Sequence, residues 1–252
     1  MRQRIESESA FVLVRRPYRE TSLLIEVFSE HHGRVGLVAR SARGAKSRTG
    51  AVLQVFLPLL LSWNEAGDLG TLVASEAAAP PVPLAGERIF HGWYLNELLL
   101  KLLTRHDAHP VLYAAYADAL PRLAEGDSEP VLRAFELCLL GETGYGVDLP
   151  ADIEADASYR YDFESGPRRV HESAEGRAGS FSGAALIALR DGKLAAADAG
   201  LRREARKLLR IALQRQLGGR ELETPRLLRE LRASAVPRTH QVPSQNPENS
   251  DG

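Results

Sequence analysis

The spacing of apolar residues changes once along this chain, and that change constrains the fold more than any other feature. Between residues 10 and 75, short apolar runs rich in β-branched residues alternate with charged or turn-forming clusters. After the segment AAAPPVP at residues 77–83, apolar residues recur every three or four positions. Since a period of two is typical of strands and a period of 3.6 is typical of helices, the pattern predicts two domains of different kinds.

The first part of the chain predicts five strands. They are expected at residues 9–16, 21–29, 34–42, 52–63 and 69–75. Residues 43–50 are rich in Gly, Ser and basic residues with nothing to bury, and they predict a mobile loop. Five short strands in about 70 residues are typical of a small antiparallel barrel, of which the oligonucleotide-binding (OB) fold is the five-stranded case. Periodicity alone leaves a β-sandwich or an SH3-like barrel nearly as well supported.

The second part predicts a mainly helical domain. Helices are expected at residues 87–103, 110–124, 130–142, 182–189 and 199–217. Residues 148–180 are polar, acidic and Gly-rich, and they predict an irregular insertion with a small hairpin at residues 158–163 and 168–171. The fold class is therefore α+β, with domains at residues 1–80 and 81–235 and a disordered, Pro-rich tail at residues 236–252.

Composition and motifs exclude several functional classes. No run approaches the roughly 18 apolar residues of a membrane-spanning helix, so no membrane partner is expected. The N-terminus lacks the apolar region of a secretory signal, and we expect a cytoplasmic protein. The motifs of serine hydrolases, nucleotide-binding loops and zinc proteases are absent, so we expect no enzyme, catalytic residue or cofactor. The single cysteine, Cys138, cannot supply a thiolate zinc cage.

The basic residues are unevenly distributed. Residues 31–60 contain five basic residues and no carboxylate, although the whole chain has a net charge of −1. A basic segment without acids attracts phosphates. The candidate DNA-binding residues lie in this segment and at the end of the first predicted strand: Arg15, Arg16, Arg19, Arg34, Arg40, Arg43, Lys46 and Arg48. The charges alone support a merely solvated basic face equally well.

A second basic set lies on the helix predicted at residues 199–217, opposite its apolar face. It includes Arg203, Arg206 and Arg210. A solvated face is the simpler interpretation, and contact with phosphate or an acidic peptide is the alternative. Another candidate partner site is a groove of the first three helices, in which Arg122 or Arg133 pairs with a terminal carboxylate.

Several sequence blocks resemble the RecO family of bacterial recombination mediators. In the first domain these are AFVL at residues 10–13, RPYRETSLL at 16–24, GR at 33–34, ARSAR at 39–43 and LQVFLPL at 53–59. In the second they are YLNELL at 94–99, LRAFEL at 132–137, GYG at 144–146, FSG at 181–183 and LGG at 217–219. The blocks follow the family order and cover nearly the whole chain.

The resemblance implies an OB barrel, a helical domain and a role in recombinational repair. It implies binding of single- and double-stranded DNA, annealing of complementary strands, and cooperation with RecR to help RecA displace single-strand DNA-binding protein (SSB). It also implies contact between the helical domain and the acidic C-terminal tail of SSB, with Arg133 in a matching block. A protein–protein adaptor without intrinsic DNA binding is the alternative.

The sequence departs from the family pattern in the insertion. Many family members carry four cysteines in the segment that corresponds to residues 148–181, and this chain has none there. We therefore expect the hairpin of the insertion to hold together without zinc.

Overall fold

Five strands form the first domain of the computed structural model, which describes residues 3–44, 46–65, 67–170 and 179–235. The strands are β1 (Arg4–Tyr18), β2 (Ser22–Ser29), β3 (Gly33–Ala39), β4 (Leu59–Asn64) and β5 (Gly70–Ala77), with a short helix, α1 (Arg48–Val52), between β3 and β4. They close into a barrel in the order β1-β2-β3-β5-β4. All neighbouring strands are antiparallel except β3 and β5, which are parallel. The predicted five-stranded barrel is confirmed.

Strand β1 is long because it pairs with two neighbours. Its first part pairs with β4 and its second part with β2, and the register shifts between Ile5 and Glu8 and again between Val12 and Val14. Ser7, within the first shift, has a left-handed φ of 51°. Bulges of this kind bend and twist a strand, which lets a small sheet close on itself.

The prediction of a strand at residues 52–63 is wrong in its first half. The Ser47 hydroxyl accepts a hydrogen bond from the backbone N–H of Gly50 at 3.2 Å and so caps helix α1. Leu53 and Leu57 then pack into the barrel core from an irregular segment. The apolar residues that suggested a strand are thus buried by a helical turn and a loop, and the segment predicted as a mobile loop ends in a helix.

The second domain consists mainly of helices. They are α2 (Glu87–Leu102), α3 (Pro110–Glu125), α4 (Ser128–Glu142), α5 (Gly183–Arg190), α6 (Ala199–Leu217) and α7 (Glu223–Ala235). The insertion carries a small sheet in the order β7-β6-β8, formed by β6 (Ser158–Asp162), β7 (Gly166–Val170) and β8 (Phe181–Ser182). The five predicted helices and the hairpin are confirmed. His171 and the tail at residues 236–252 lie outside the described residues, so the disordered tail stays a prediction.

Helix α7 was not predicted from the sequence. Side chains of α2 bind α7 near both ends of α7. The Glu97 carboxylate accepts hydrogen bonds from the backbone N–H groups of Glu223 at 2.7 Å and Thr224 at 2.9 Å. Near the other end, Arg232 pairs with Glu87 at 2.5 Å. These long-range partners stabilise a helix whose own sequence is largely polar.

Both faces of β1 are buried where the strand meets the helical domain. Ala10 and Val12 belong to the barrel core, whereas Phe11 and Leu13 belong to the core of the helical domain. Alternate residues of a strand point to opposite faces, so a strand covered on both sides reads as a continuous apolar run. This explains the uninterrupted sequence AFVL.

A buried asparagine connects the backbone of β1 to the helices. The side-chain amide of Asn96 donates to the Leu13 carbonyl at 2.9 Å, and the Tyr116 hydroxyl donates to the Asn96 amide oxygen at 2.6 Å. Leu13 lies at the second bulge and has no partner residue in β2, which leaves its carbonyl available. All of these groups are buried, so solvent does not replace a lost bond.

Aromatic rings surround this hydrogen-bonded connection. Phe11 packs edge-on against Tyr116 with a centroid distance of 5.1 Å, and Phe28 packs edge-on against Tyr113 at 5.6 Å. Pairs of this geometry each contribute about 0.5–1.5 kcal/mol beyond the burial of their surface. The junction therefore belongs to a shared hydrophobic core.

Replacing Asn96 by alanine should lower the free energy of unfolding by about 2–4 kcal/mol, because the Leu13 carbonyl and the Tyr116 hydroxyl each lose a buried partner. Urea unfolding followed by circular dichroism measures the change. The control is Gln214→Ala on an exposed position of α6, which should cost less than about 0.5 kcal/mol. Equal effects of the two substitutions would contradict the role of Asn96.

The docking of α7 should depend on pH through Glu97. Burial alone would raise the pKa of this carboxyl, but the N–H groups of Glu223 and Thr224 hold the pKa below its usual value. A lowered pKa in the folded state means that ionised Glu97 stabilises the fold above its unfolded pKa, and that this contribution is lost as the pH falls through the folded pKa.

We therefore expect Glu97→Gln to reduce the free energy of unfolding at neutral pH and to flatten its decline between about pH 5 and about pH 3. Urea titrations of both proteins at several pH values measure the two slopes. Parallel slopes for the variant and the original chain would show that Glu97 does not carry this dependence.

Candidate nucleic-acid interface

Seven of the eight basic residues predicted to contact DNA are exposed. Arg15, Arg16 and Arg19 lie at the end of β1 and in the turn after it, and four more lie between the end of β3 and the start of α1: Arg40, Arg43, Lys46 and Arg48. Among the described residues, none of the seven forms a salt bridge with a carboxylate. We call this set the barrel basic face.

Arg15 and Arg43 line an open groove of about 330 Å³ within the barrel basic face. The other lining residues are small or apolar: Leu23, Ala42, Gly44, Ser47, Gly50 and Ala51. None of the described residues that line this groove carries a carboxylate, so the two guanidinium groups determine its charge.

Backbone carbonyls hold both guanidinium groups of the groove. Nη1 of Arg15 donates to the carbonyls of Gly50 at 3.4 Å and Leu53 at 3.3 Å. Nη1 of Arg43 donates to the carbonyls of residues 19–20 at 3.4 and 3.5 Å. Because a carbonyl carries no net charge, these bonds position the two cations without neutralising them.

The backbone around the groove adopts an unusual conformation at two positions. Arg19 and Ser41 have left-handed φ angles of 52° and 54°. The Arg19 guanidinium lies 5.3 Å from the ring centroid of Tyr18, within the range of a cation–π contact. Such conformations of non-glycine residues cost free energy and concentrate at functional sites.

Arg34 lies apart from the barrel basic face, at the junction of the two domains. It pairs with Glu26 at 3.5 Å and donates to the Leu100 carbonyl at the end of α2. Glu26 also pairs with Arg105. Burial lowers the pKa of the Arg34 guanidinium, although Glu26 opposes this effect. Arg34 therefore connects the barrel to the helical domain.

The predicted partner-binding residues of α6 lie beside the start of α4. Arg203 and Arg206 line an open cleft of about 540 Å³, and Arg206 pairs there with Glu129. Within the described part of the chain, Arg203 and Arg210 form no salt bridge. Helix α6 thus keeps free cations next to a pair that is already neutralised.

Arg133 and Arg122 do not share a surface. The Arg133 side chain is 9% exposed and donates to Glu136 at 2.6 Å, and Glu136 also accepts from the Tyr94 hydroxyl at 2.6 Å. Burial raises the pKa of Glu136 against the opposing effect of Arg133. Arg122 is exposed and pairs with Asp118 of its own helix at 2.8 Å.

Sequence reasoning missed three polar side chains that the fold shields: Asn96, Glu26 and Glu136. Each of the three lies within an apolar stretch of the sequence, and this position was the signal that could have predicted their burial. A shielded polar group requires a hydrogen-bond partner. Most of the partners come from other elements of the fold, such as Leu13 and Tyr116 for Asn96, so the sequence did not identify them.

The described residues contain neither a metal-binding cluster nor a membrane-spanning helix. Across residues 3–44, 46–65, 67–170 and 179–235, no three His, Cys, Asp or Glu side chains come together in a way that could hold a metal ion. Over the same residues, no helix is both long and apolar enough to cross a bilayer.

The fold and this surface define a two-domain protein in which an OB-like barrel with a basic face is joined to a helical domain. The family profile described as "Recombination protein O N terminal" matches residues 1–81, and that described as "Recombination protein O C terminal" matches residues 84–225. The chain belongs to the RecO family of DNA repair proteins.

Curated relatives agree with this assignment. The DNA repair protein RecO of Aromatoleum aromaticum is 44% identical over 238 residues, which are 91% of this chain and 98% of the relative. That of Nitrosococcus oceani is 44% identical over 91% of this chain and 95% of its own length. That of Coxiella burnetii strain RSA 493 is 41% identical over 90% and 100%, respectively. The family resemblance of the sequence blocks is confirmed.

The structural role of Arg34 can be tested by measuring the free energy of unfolding. Arg34→Ala should lower the free energy of unfolding by about 1–3 kcal/mol, because Glu26 and the Leu100 carbonyl each lose a shielded donor. Arg40→Ala removes an exposed arginine without such contacts and should cost less than about 0.5 kcal/mol. Urea unfolding compares the two variants, and equal losses would contradict a structural role for Arg34.

Proposed function

We propose that this chain is a non-enzymatic recombination mediator that binds single- and double-stranded DNA and anneals complementary strands. The observation that carries the proposal is the barrel basic face, whose seven exposed cations form no salt bridge within the described residues. Cations of this kind bind phosphates and release the counterions condensed on DNA. Membership in a family of DNA repair proteins supports the same function.

Annealing by such a face requires no catalytic residue. Two DNA strands repel each other through their phosphates, and cations that contact both backbones reduce this repulsion. Base pairing then supplies the net driving force for forming the duplex. The protein lowers an electrostatic barrier and breaks no covalent bond.

The aromatic residues of the barrel support contact with the DNA backbone. Phe28, Phe56 and Trp63 are buried and so cannot stack on bases, which leaves Tyr18 as the local aromatic side chain with partial exposure. Contacts to phosphate fix position without reading sequence. We therefore propose binding without strong sequence preference.

The helical domain is proposed to provide the contacts with protein partners, namely RecR and the acidic C-terminal tail of SSB. Through them the protein would help load RecA onto SSB-covered DNA in the cytoplasm. The free cations Arg203 and Arg210 and the neighbouring Arg206 suit an acidic tail. Arg122 is also accessible, whereas Arg133 can meet only a group that enters the domain core.

An adaptor without intrinsic DNA binding is the second candidate function. It is favoured by exposed apolar side chains on the two helices joined through Glu97. Trp93 of α2 is 40% exposed, and Leu227 and Leu231 of α7 are 43% and 48% exposed. Exposed apolar side chains of this size are typical of surfaces that meet other proteins.

Removing four cations of the barrel basic face separates the two candidates. Filter binding at several salt concentrations should show weaker DNA binding and a slope of log K against log[salt] that is reduced by up to about 4. The variant replaces four residues by alanine: Arg40, Arg43, Lys46 and Arg48. The same variant should also anneal SSB-coated complementary oligonucleotides more slowly.

A matched control removes the same charge from the second domain. It replaces four other exposed cations by alanine: Arg168, Lys193, Arg226 and Arg229. Its affinity and salt slope should remain close to those of the original chain. If the barrel variant keeps both the DNA affinity and the salt slope of the original chain, the barrel basic face is not part of the mechanism. If the original chain does not bind DNA, the adaptor is favoured.

A further inference from the structure

We infer that the groove between Arg15 and Arg43 holds one nucleotide of a single DNA strand. Its phosphate lies between the two guanidinium groups, and its sugar and base lie against the apolar lining. This inference rests on the proposed DNA binding and specifies which part of the barrel basic face distinguishes single strands from duplex.

The unused donors of the two arginines are the first support. Each guanidinium carries five N–H donors, and each uses only Nη1 in the bonds that hold it to backbone carbonyls. Among the residues that the structure describes, the edge formed by Nε and Nη2 has no hydrogen-bond partner in either arginine, which leaves it for a ligand. That edge matches the spacing of two phosphate oxygens and forms charge-assisted hydrogen bonds with them.

The lining of the groove is the second support, because it suits more than a bare anion. Ala51 presents an exposed methyl group to the groove, and Leu23 and Ala42, at 8% and 3% exposure, line its buried side. Free phosphate gains nothing from apolar surface. A nucleoside attached to the phosphate buries its sugar and base there, as single-strand binding sites commonly do.

The size of the groove is the third support, because it favours a single strand. A volume of about 330 Å³ is near the lower end of the range for small-ligand sites, which is about 300–1,000 Å³. In a duplex the bases are paired and stacked, so a base reaches such a groove only after it leaves the stack, which costs free energy. Duplex is therefore restricted to the exposed cations around the groove.

The groove is also formed before any ligand binds. Ser47 caps α1, and a Cβ atom at Gly50 would lie 2.0 Å from the Ala42 carbonyl oxygen. Only glycine permits this close approach of α1 to the loop that follows β3. A preformed site loses less conformational entropy on binding.

The test fills the groove without changing its charge. Ala51→Leu adds volume at an exposed helical position, and leucine is a good helix former. Its affinity for a single-stranded oligothymidine should fall roughly tenfold, and its affinity for a duplex of equal length less than twofold, by fluorescence anisotropy. Ala114→Leu, at an exposed position of α3, is the matched control and should change neither affinity.

A second variant tests the same groove through its charge. Arg43→Gln should weaken single-strand binding at least roughly fivefold more than Arg229→Gln. Arg229 is also exposed and also donates to a backbone carbonyl, that of Pro225, but it lies on α7. If circular dichroism shows that Ala51→Leu does not fold, the comparison of Arg43→Gln with Arg229→Gln tests the groove in its place.

A competition experiment distinguishes a nucleotide from free phosphate as the ligand of the groove. Thymidine monophosphate should displace the oligothymidine at a lower concentration than inorganic phosphate, because it also fills the apolar part of the groove. If thymidine monophosphate and inorganic phosphate compete at the same concentration, the groove makes a phosphate contact only and the inference of a bound nucleotide is wrong.

The outcomes also separate this inference from the proposed function. If the original chain binds DNA and Ala51→Leu behaves like Ala114→Leu, the groove inference fails and DNA binding stands. If the original chain binds neither single strands nor duplex, the proposed function fails together with the inference that rests on it.

Discussion

The hydrogen bond from Asn96 to the Leu13 carbonyl is the contact on which the rest of the molecule depends. A bulge in β1 leaves this carbonyl without a partner in the sheet, and the helical domain supplies the missing donor. Because the bond lies among packed aromatic rings, the outer face of β1 and β2 is part of the core of the helical domain, while the barrel interior keeps a core of its own. The domain boundary visible in the composition is therefore bridged by side chains of the barrel, and a change at Asn96 affects both domains.

The cations of the chain divide by whether a carboxylate lies within reach. Arg34 and Arg133 have one, and both are largely withdrawn from solvent into structural contacts. Arg15 and Arg43 are positioned by carbonyls and keep their charge. This difference gives the barrel basic face its proposed role, since only a cation that is not already neutralised releases counterions from DNA.

The periodicity of the sequence predicts some elements of this fold and misses others. The apolar stripes of α3, α4 and α6 predict these helices correctly, because a helix that buries one face needs that spacing. The strand expected at residues 52–63 failed in its first half, because Leu53 and Leu57 reach the barrel core from a helical turn and a loop. Helix α7 was missed since Glu97 and Glu87, more than a hundred residues earlier, provide its partners.

The sequence by itself determined the class of fold, the family and the position of the basic segment that lacks carboxylates, because local periodicity and charge are properties of neighbouring residues. Only the tertiary structure decided which arginines stay free. Arg34 and Arg43 look alike in the sequence, yet Arg34 pairs with Glu26, whereas the Arg43 side chain meets only carbonyls among the described residues. The reason is physical: a charge is neutralised or left available by groups within a few ångströms, and folding alone determines which groups those are.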